Sequence, residues 1–230
     1  MGSKSAKESL AAARNHKRGR RYQEALEEYE WFFDNSLDDQ ESLYGVRLSY
    51  CLAEWHDVGK KYPPALERLA SKRQECFEEF LQTGADERFH DFSAISEELN
   101  DEQEVVNHFL MLDEQHTHLA KTAWRFVRQL FVDRENWEIC SKYLSKPILE
   151  CERAVRRFLG GMSVYQEEPK LFENSDAEIV GWLIEDGHSI LQILRHSERQ
   201  TEEVEALRYM SSELKREGYE KHISALSSYS

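Results

Sequence analysis

Apolar residues recur along this chain at intervals of three and four, and no strict alternation runs long enough to require a strand, so the pattern predicts helix throughout. Breaks between the periodic segments divide the chain into helical pairs. The first pair is a helix from about Ser5 to Lys17, a turn at Gly19 to Arg21, and a helix from about Tyr22 to Asn35. The second runs from about Glu41 to Val58, turns through Gly59 to Tyr62, and resumes at Pro63 and Pro64, where a missing N–H is harmless. Gly84 is its expected C-terminal cap. A third pair spans about Glu87 to Leu112 with its turn at Asn100-Asp101, and a fourth about His118 to Leu144 with its turn between Asp133 and Asn136. Beyond Pro147 the pattern predicts a helix from about Ile148 to Leu159, a break at Gly160-Gly161, and a polar, flexible stretch to Glu173. Ser175 with Glu178 signals a capping box for a long helix to about His196, and helices near Thr201 to Arg216 and Tyr219 to Ser227 close the chain.

Superimposed on the helical period is a longer one. Ala13, His16, Gly19, Tyr22, Ala25, Leu26 and Glu27 match Ala53, His56, Gly59, Tyr62, Ala65, Leu66 and Glu67, each 40 residues later, and the basic pair Arg20-Arg21 aligns with Lys60-Lys61. Val105 continues the series from Ala65. A repeat of this length made of two helices is the signature of stacked helical hairpins, in which each hairpin covers the apolar face of the next.

The spacing Ala13, Tyr22, Ala25, Tyr29, repeated as Ala53, Tyr62, Ala65, Leu69, resembles the tetratricopeptide repeat. There a small residue of the first helix packs on a small residue of the second, letting the two approach to about 8 to 9 Å. The segment Tyr44-Gly45-Val46-Arg47-Leu48-Ser49, followed by Trp55 and Tyr62-Pro63-Pro64-Ala65, is also similar to a group of bacterial tetratricopeptide-like proteins, a likeness that carries no activity with it. The resemblance is good over residues 6–80, weaker over 86–145 and nearly absent after that. It implies an all-α fold, a right-handed α-α superhelix of about five hairpins. Residues 1–230 would be one domain, 1–145 forming four hairpins and 146–230 a divergent helical cap. It also implies that the first helix of each hairpin lines a groove. Lys7, Leu10, Arg14, Lys17 and Arg18 would come from the first hairpin, Arg47, Tyr50, Glu54 and Asp57 from the second, Glu87, His90, Ala94 and Glu97 from the third, and Thr122, Arg125, Gln129 and Asp133 from the fourth. The binding residues so expected are Lys7, Arg14, Lys17, Arg18, Arg47, Tyr50, His90 and Arg125.

Charge sharpens this expectation. The net charge is −14, but residues 1–22 carry +6, leaving −20 for the rest. Arg14, Lys17, Arg18 and Arg21 fall at helical intervals and form one cationic stripe, suited to an acidic peptide segment. An acidic body disfavours nucleic acid and membrane surfaces. No apolar run reaches the ~18 residues of a membrane span, and no apolar leader opens the sequence, so a cytoplasmic protein is expected.

Candidate chemistry adds little. Cys51, Cys76, Cys140 and Cys151 form no C-x-x-C pair and read as reduced thiols in helices. His16 and His56 occupy equivalent repeat positions, which suggests packing, and the five tryptophans fall on apolar stripes. His90-Asp91, His108, His116 and His118 form a looser histidine-rich region whose spacing matches no metal-ligand pattern. No nucleophile elbow or phosphate loop is present, so neither a catalytic cluster nor a cofactor or metal is expected. The leading functional reading is a non-enzymatic scaffold for a protein or peptide. A toxin-neutralising immunity-type protein and a metal-dependent hydrolase using the His90, Asp91 and His108 region are the alternatives.

Overall fold

The computed structural model describes residues 4–167 and 176–228, and among these every regular element is helical. The chain separates into two compact units, Met1–Val127 and Arg128–Ser230. The division falls inside a helix, ahead of the boundary near residue 145 that the repeat pattern suggests.

In the N-terminal unit α1 (Ala6–Arg18) opens on a full capping box, with the Ser5 side chain on the Glu8 N–H and the Glu8 carboxylate on the Ser5 N–H. After α2 (Tyr22–Asp39) comes a composite helix: a 3₁₀ turn at Glu41–Leu43, α3 (Tyr44–Val46), a π-helical turn at Arg47–Cys51 and α4 (Leu52–Gly59). Then follow α5 (Pro63–Thr83), α6 (Asp86–Glu98), α7 (Glu102–Gln115) and α8 (Thr117–Asp133), which carries the division. Pro63 and Pro64 sit in the first turn of α5, and Gly84 ends it in the left-handed conformation at φ 69°. The turns at Gly19–Arg21 and Asn100–Asp101 share one geometry. Arg20 and Asn100 have φ 57° and 56°, and the next N–H reaches back five residues, to His16 and Ser96.

The 40-residue period is kept most faithfully by the second helices. Ala25, Ala65 and Val105 are buried, as are Tyr29, Leu69 and Phe109, and Phe32, Lys72 and Leu112 one turn further on. Lys72 stands in an otherwise apolar series because its ammonium leaves the core to reach Asp34 and Glu75, each at 3.0 Å. The first helices drift. Ala13 is buried, but its repeat equivalent Ala53 is exposed, contrary to the pairing the resemblance implies. The connection explains it: the second turn has no left-handed residue, and Lys61 and Tyr62 both bond the Val58 carbonyl. α4 is rolled accordingly. Trp55 and Gly59 take the inner positions, with the Trp55 indole N–H on the Ala65 carbonyl at 2.9 Å and the Gly59 backbone against Leu66, where a Cβ would lie 2.4 Å from Cγ.

In the C-terminal unit α9 (Trp137–Tyr143) leads to α10 (Pro147–Glu167), α11 (Ala177–His196) and α12 (Gln200–Arg216), which pack on one another, and α13 (Ile223–Ser227) lies against α11 and α12. The break expected at Gly160-Gly161 is absent, for α10 runs through both glycines. Gly161 instead permits close approach of α11, since a Cβ there would lie 2.9 Å from both Ile179 and Trp182. The remainder of the expected loop, 168–173, and the capping residue Ser175 lie outside the described residues. α11 starts from Asp176 without a side-chain cap.

Candidate functional site

The first helices of the N-terminal unit run side by side and in parallel, because pairs between them ascend together. Between α1 and α4 the pairs are Arg14 with Glu54 at 3.0 Å and Lys17 with Asp57 at 3.3 Å, each joining residues 40 apart. Between the composite helix and α6 they are Tyr44 with His90 at 2.7 Å, Arg47 with Asp91 at 2.5 and 2.6 Å, and His56 with Glu98 at 2.7 Å. Between α6 and α8 they are Asp86 with Arg125 and the stacked rings of His90 and Phe126, 4.6 Å apart. The second helices are joined likewise, Glu30 to Arg68 and Asp34 to Lys72. The first helices thus present one continuous face, and its middle is the band Tyr44, His90, Phe126 and Arg125, the guanidinium lying 4.4 Å over the Phe126 ring.

Arg47 lies beneath this face. It is buried, donates Nε to the Phe33 carbonyl at 2.6 Å, stacks on the Phe33 ring at 3.9 Å and grips both Asp91 oxygens. Burial acts to lower its pKa, yet the bidentate carboxylate more than offsets this and the net shift is upward. The π turn widens the backbone where this side chain enters. Arg47 and Cys51 point inward from it while Ser49 and Tyr50 point out, Tyr50 being 52% exposed.

The eight residues expected to bind a ligand therefore divide. Tyr50 and Arg125 are exposed on the face, and His90 is part of its wall. Arg47 supports it from below. Arg14 and Lys17 act chiefly as links between helices, Glu54 receiving the Tyr29 hydroxyl as well at 2.9 Å. Lys7 is exposed, and Arg18 is exposed with neutral partners among the described residues, the Asn15 side chain and the Arg14 carbonyl. Asp86 and Phe126 join the band without having been singled out from the sequence. Tyr44 stands there only in the segment that carries the bacterial likeness, and its pairing with a residue 46 positions on is a property of the fold.

The histidine-rich region does not converge. His90 engages Tyr44 and Phe126, Asp91 engages Arg47 and Arg88, and His108 packs its ring 4.2 Å from Phe77 with Nδ1 on the Glu104 carbonyl. Among the described residues no group of three or more His, Cys, Asp or Glu side chains is placed to hold a metal ion. The four cysteines are buried and unbridged, and burial pushes their thiols up, Cys76, Cys140 and Cys151 to about 12, so none supplies a thiolate at neutral pH. No described helix is long and apolar enough to cross a membrane.

His90 makes the band sensitive to acid. Burial lowers its pKa from the ordinary 6.5, opposed by Asp91 and Asp86 and reinforced by Arg125 and Arg47. Burial also raises that of Tyr44, which suits a Tyr44 O–H donating to Nδ1 of a neutral imidazole. Below 6.5 the unfolded chain takes up a proton that the folded chain refuses, so the contribution of this site is present above 6.5 and lost as pH falls toward the folded value. Urea midpoints are expected to fall between about pH 7.5 and about pH 5.5 by more in the wild type than in His90→Gln. Equal falls in the two proteins count against a buried neutral His90.

No protein-family model, curated protein or solved structure matches this chain.

Proposed function

We propose that this chain is a non-enzymatic, tetratricopeptide-like helical-repeat scaffold, a short solenoid acting in the cytoplasm, which holds a peptide segment of a partner protein on the face of its first helices. The observation that carries the reading is the joining of successive first helices through residues 40 apart, Arg14 to Glu54 and Lys17 to Asp57. A structure that ties equivalent positions of neighbouring hairpins together keeps one face of each free for another chain. On that face Tyr50 offers an exposed aromatic ring and Arg125 an exposed guanidinium, two of the residue types enriched where binding energy concentrates.

A displayed peptide library panned against the whole protein, followed by hydrogen-exchange mapping of a selected peptide, tests this. Protection is expected in the helices carrying Tyr50, His90 and Arg125. Tyr50→Ala is expected to weaken the peptide by about tenfold or more, and Val204→Ala, at an exposed position of the C-terminal unit, to leave it unchanged. Selected peptides that protect other surfaces and ignore Tyr50 would overturn the assignment.

A further inference from the structure

The turn ends of the first two hairpins gather a cluster of cations, most of which no carboxylate pairs among the described residues. Arg18, Arg20 and Arg21 at the α1–α2 turn and Lys60 and Lys61 at the α4–α5 turn are all exposed. Asp57 draws the two turns together, taking Lys60 at 2.9 Å and Lys17 at 3.3 Å, and these two ammonium groups hold its carboxyl below the usual range. Arg18, Arg20, Arg21 and Lys61 form no ion pair among the described residues. Other carboxylates also reach this end of the unit, among them Glu102 and Glu104 in the first turn of α7. Glu24 lies in the first turn of α2, Glu98 holds His56, and Asp101, where the third turn begins and the basic surface stops, holds Arg73.

A second, independent feature adds to the field. α2 opens inside this patch, and its N-cap residue Arg21 offers no side-chain acceptor to the first N–H groups. α5 opens beside it from Tyr62, also without a side-chain cap. The positive ends of two long helices thus point the same way as the cations.

We propose that this end of the first two hairpins docks an acidic segment of a partner protein, on a surface separate from the Tyr50 face and independent of what that face binds. Extended polyanions suit it poorly, because the −20 carried outside residues 1–22 repels whatever reaches past the patch. A short run of glutamates or aspartates touches only the patch. The repetition of a basic pair at equivalent turns, Arg20-Arg21 and Lys60-Lys61, gives such a segment two adjacent holds.

The test is a fluorescence-anisotropy titration of the full chain with a labelled oligoglutamate peptide, alongside a single-stranded oligonucleotide at the same salt. The patch variant carries Arg20→Glu, Arg21→Glu, Lys60→Glu and Lys61→Glu. A control with the same net charge carries Lys121→Glu, Lys146→Glu, Lys215→Glu and Lys221→Glu, all at exposed positions outside the two turns. Oligoglutamate affinity is expected to fall by about tenfold or more in the patch variant and by less than about threefold in the control, and to weaken in the wild type as salt rises from about 50 to about 300 mM. In the wild type the peptide is expected to slow hydrogen exchange at 17–24 and 57–65, a readout that does not depend on any variant folding. Equal losses in the two variants, no protection at the turns, no peptide binding by the wild type, or tighter binding of the oligonucleotide would each overturn the proposal. Binding at Tyr50 would be untouched by any of these results.

Discussion

Replacing Asp91 by alanine is expected to cost about 3 to 5 kcal/mol of stability, read as a lowered urea midpoint. The cost comes from what is left behind. Arg47 is 3% exposed, and without Asp91 its guanidinium keeps the Phe33 carbonyl and ring but no carboxylate. Arg88, which also touches Asp91, loses much less, because it is 42% exposed and retains Glu79. The pair itself is worth far less than its breakage, since both charges were withdrawn from water to make it. The double variant Arg47→Met, Asp91→Leu is therefore expected to recover most of the loss. A loss below about 1 kcal/mol in Asp91→Ala would show that water reaches the guanidinium.

Trp55→Ala is expected to cost a similar amount, about 3 to 5 kcal/mol. Trp55 is wholly buried, stands edge-on to Phe33 at 6.4 Å and ties α4 to α5 through the Ala65 carbonyl. Its removal leaves a cavity at the inner position of the second hairpin and takes away the extra donor on the Ala65 carbonyl, which keeps its place in the hydrogen bonding of α5. Trp55→Phe fills most of the volume but not the hydrogen bond, so it is expected to lose about 1 to 3 kcal/mol. If the two variants have the same midpoint, the hydrogen bond rather than the volume decides the crossing.

The second helices were readable because each repeat puts a small or apolar residue where two helices must approach. Ala25, Ala65 and Val105 say so without any knowledge of their neighbours. The roll of α4 was not readable, since it follows from a turn whose N–H groups share the Val58 carbonyl, and a Gly-Lys-Lys run looks like Gly-Arg-Arg in sequence. Gly160-Gly161 misled for the opposite reason. Low intrinsic propensity suggested a break, and packing against Ile179 and Trp182 made the missing side chain useful within an unbroken helix.

The face was legible in part. Tyr50 and Arg125 are exposed and His90 bonds Tyr44, whereas Arg47, expected in the same register, lies inside, where it enters the π turn and grips Asp91. The cationic stripe was visible as charge but not as linkage. The signal was nonetheless there: acidic Glu54 and Asp57 stand 40 residues after basic Arg14 and Lys17, opposite charges at equivalent places in neighbouring repeats.

That pairing across one repeat also shapes how the N-terminal unit comes together. Its ion pairs and side-chain hydrogen bonds between neighbouring first helices, and between α2 and α5, close loops of 38 to 46 residues, and none of these joins the two ends of the unit among the described residues. Loop-closure entropy grows slowly with length, and topologies made of near neighbours fold quickly. Each hairpin, once formed, offers its unpaired charges and apolar edge as a template for the next. In the solenoid we propose, assembly would begin at any hairpin and spread in either direction, with turn sequences free to drift while the register of the charges is kept.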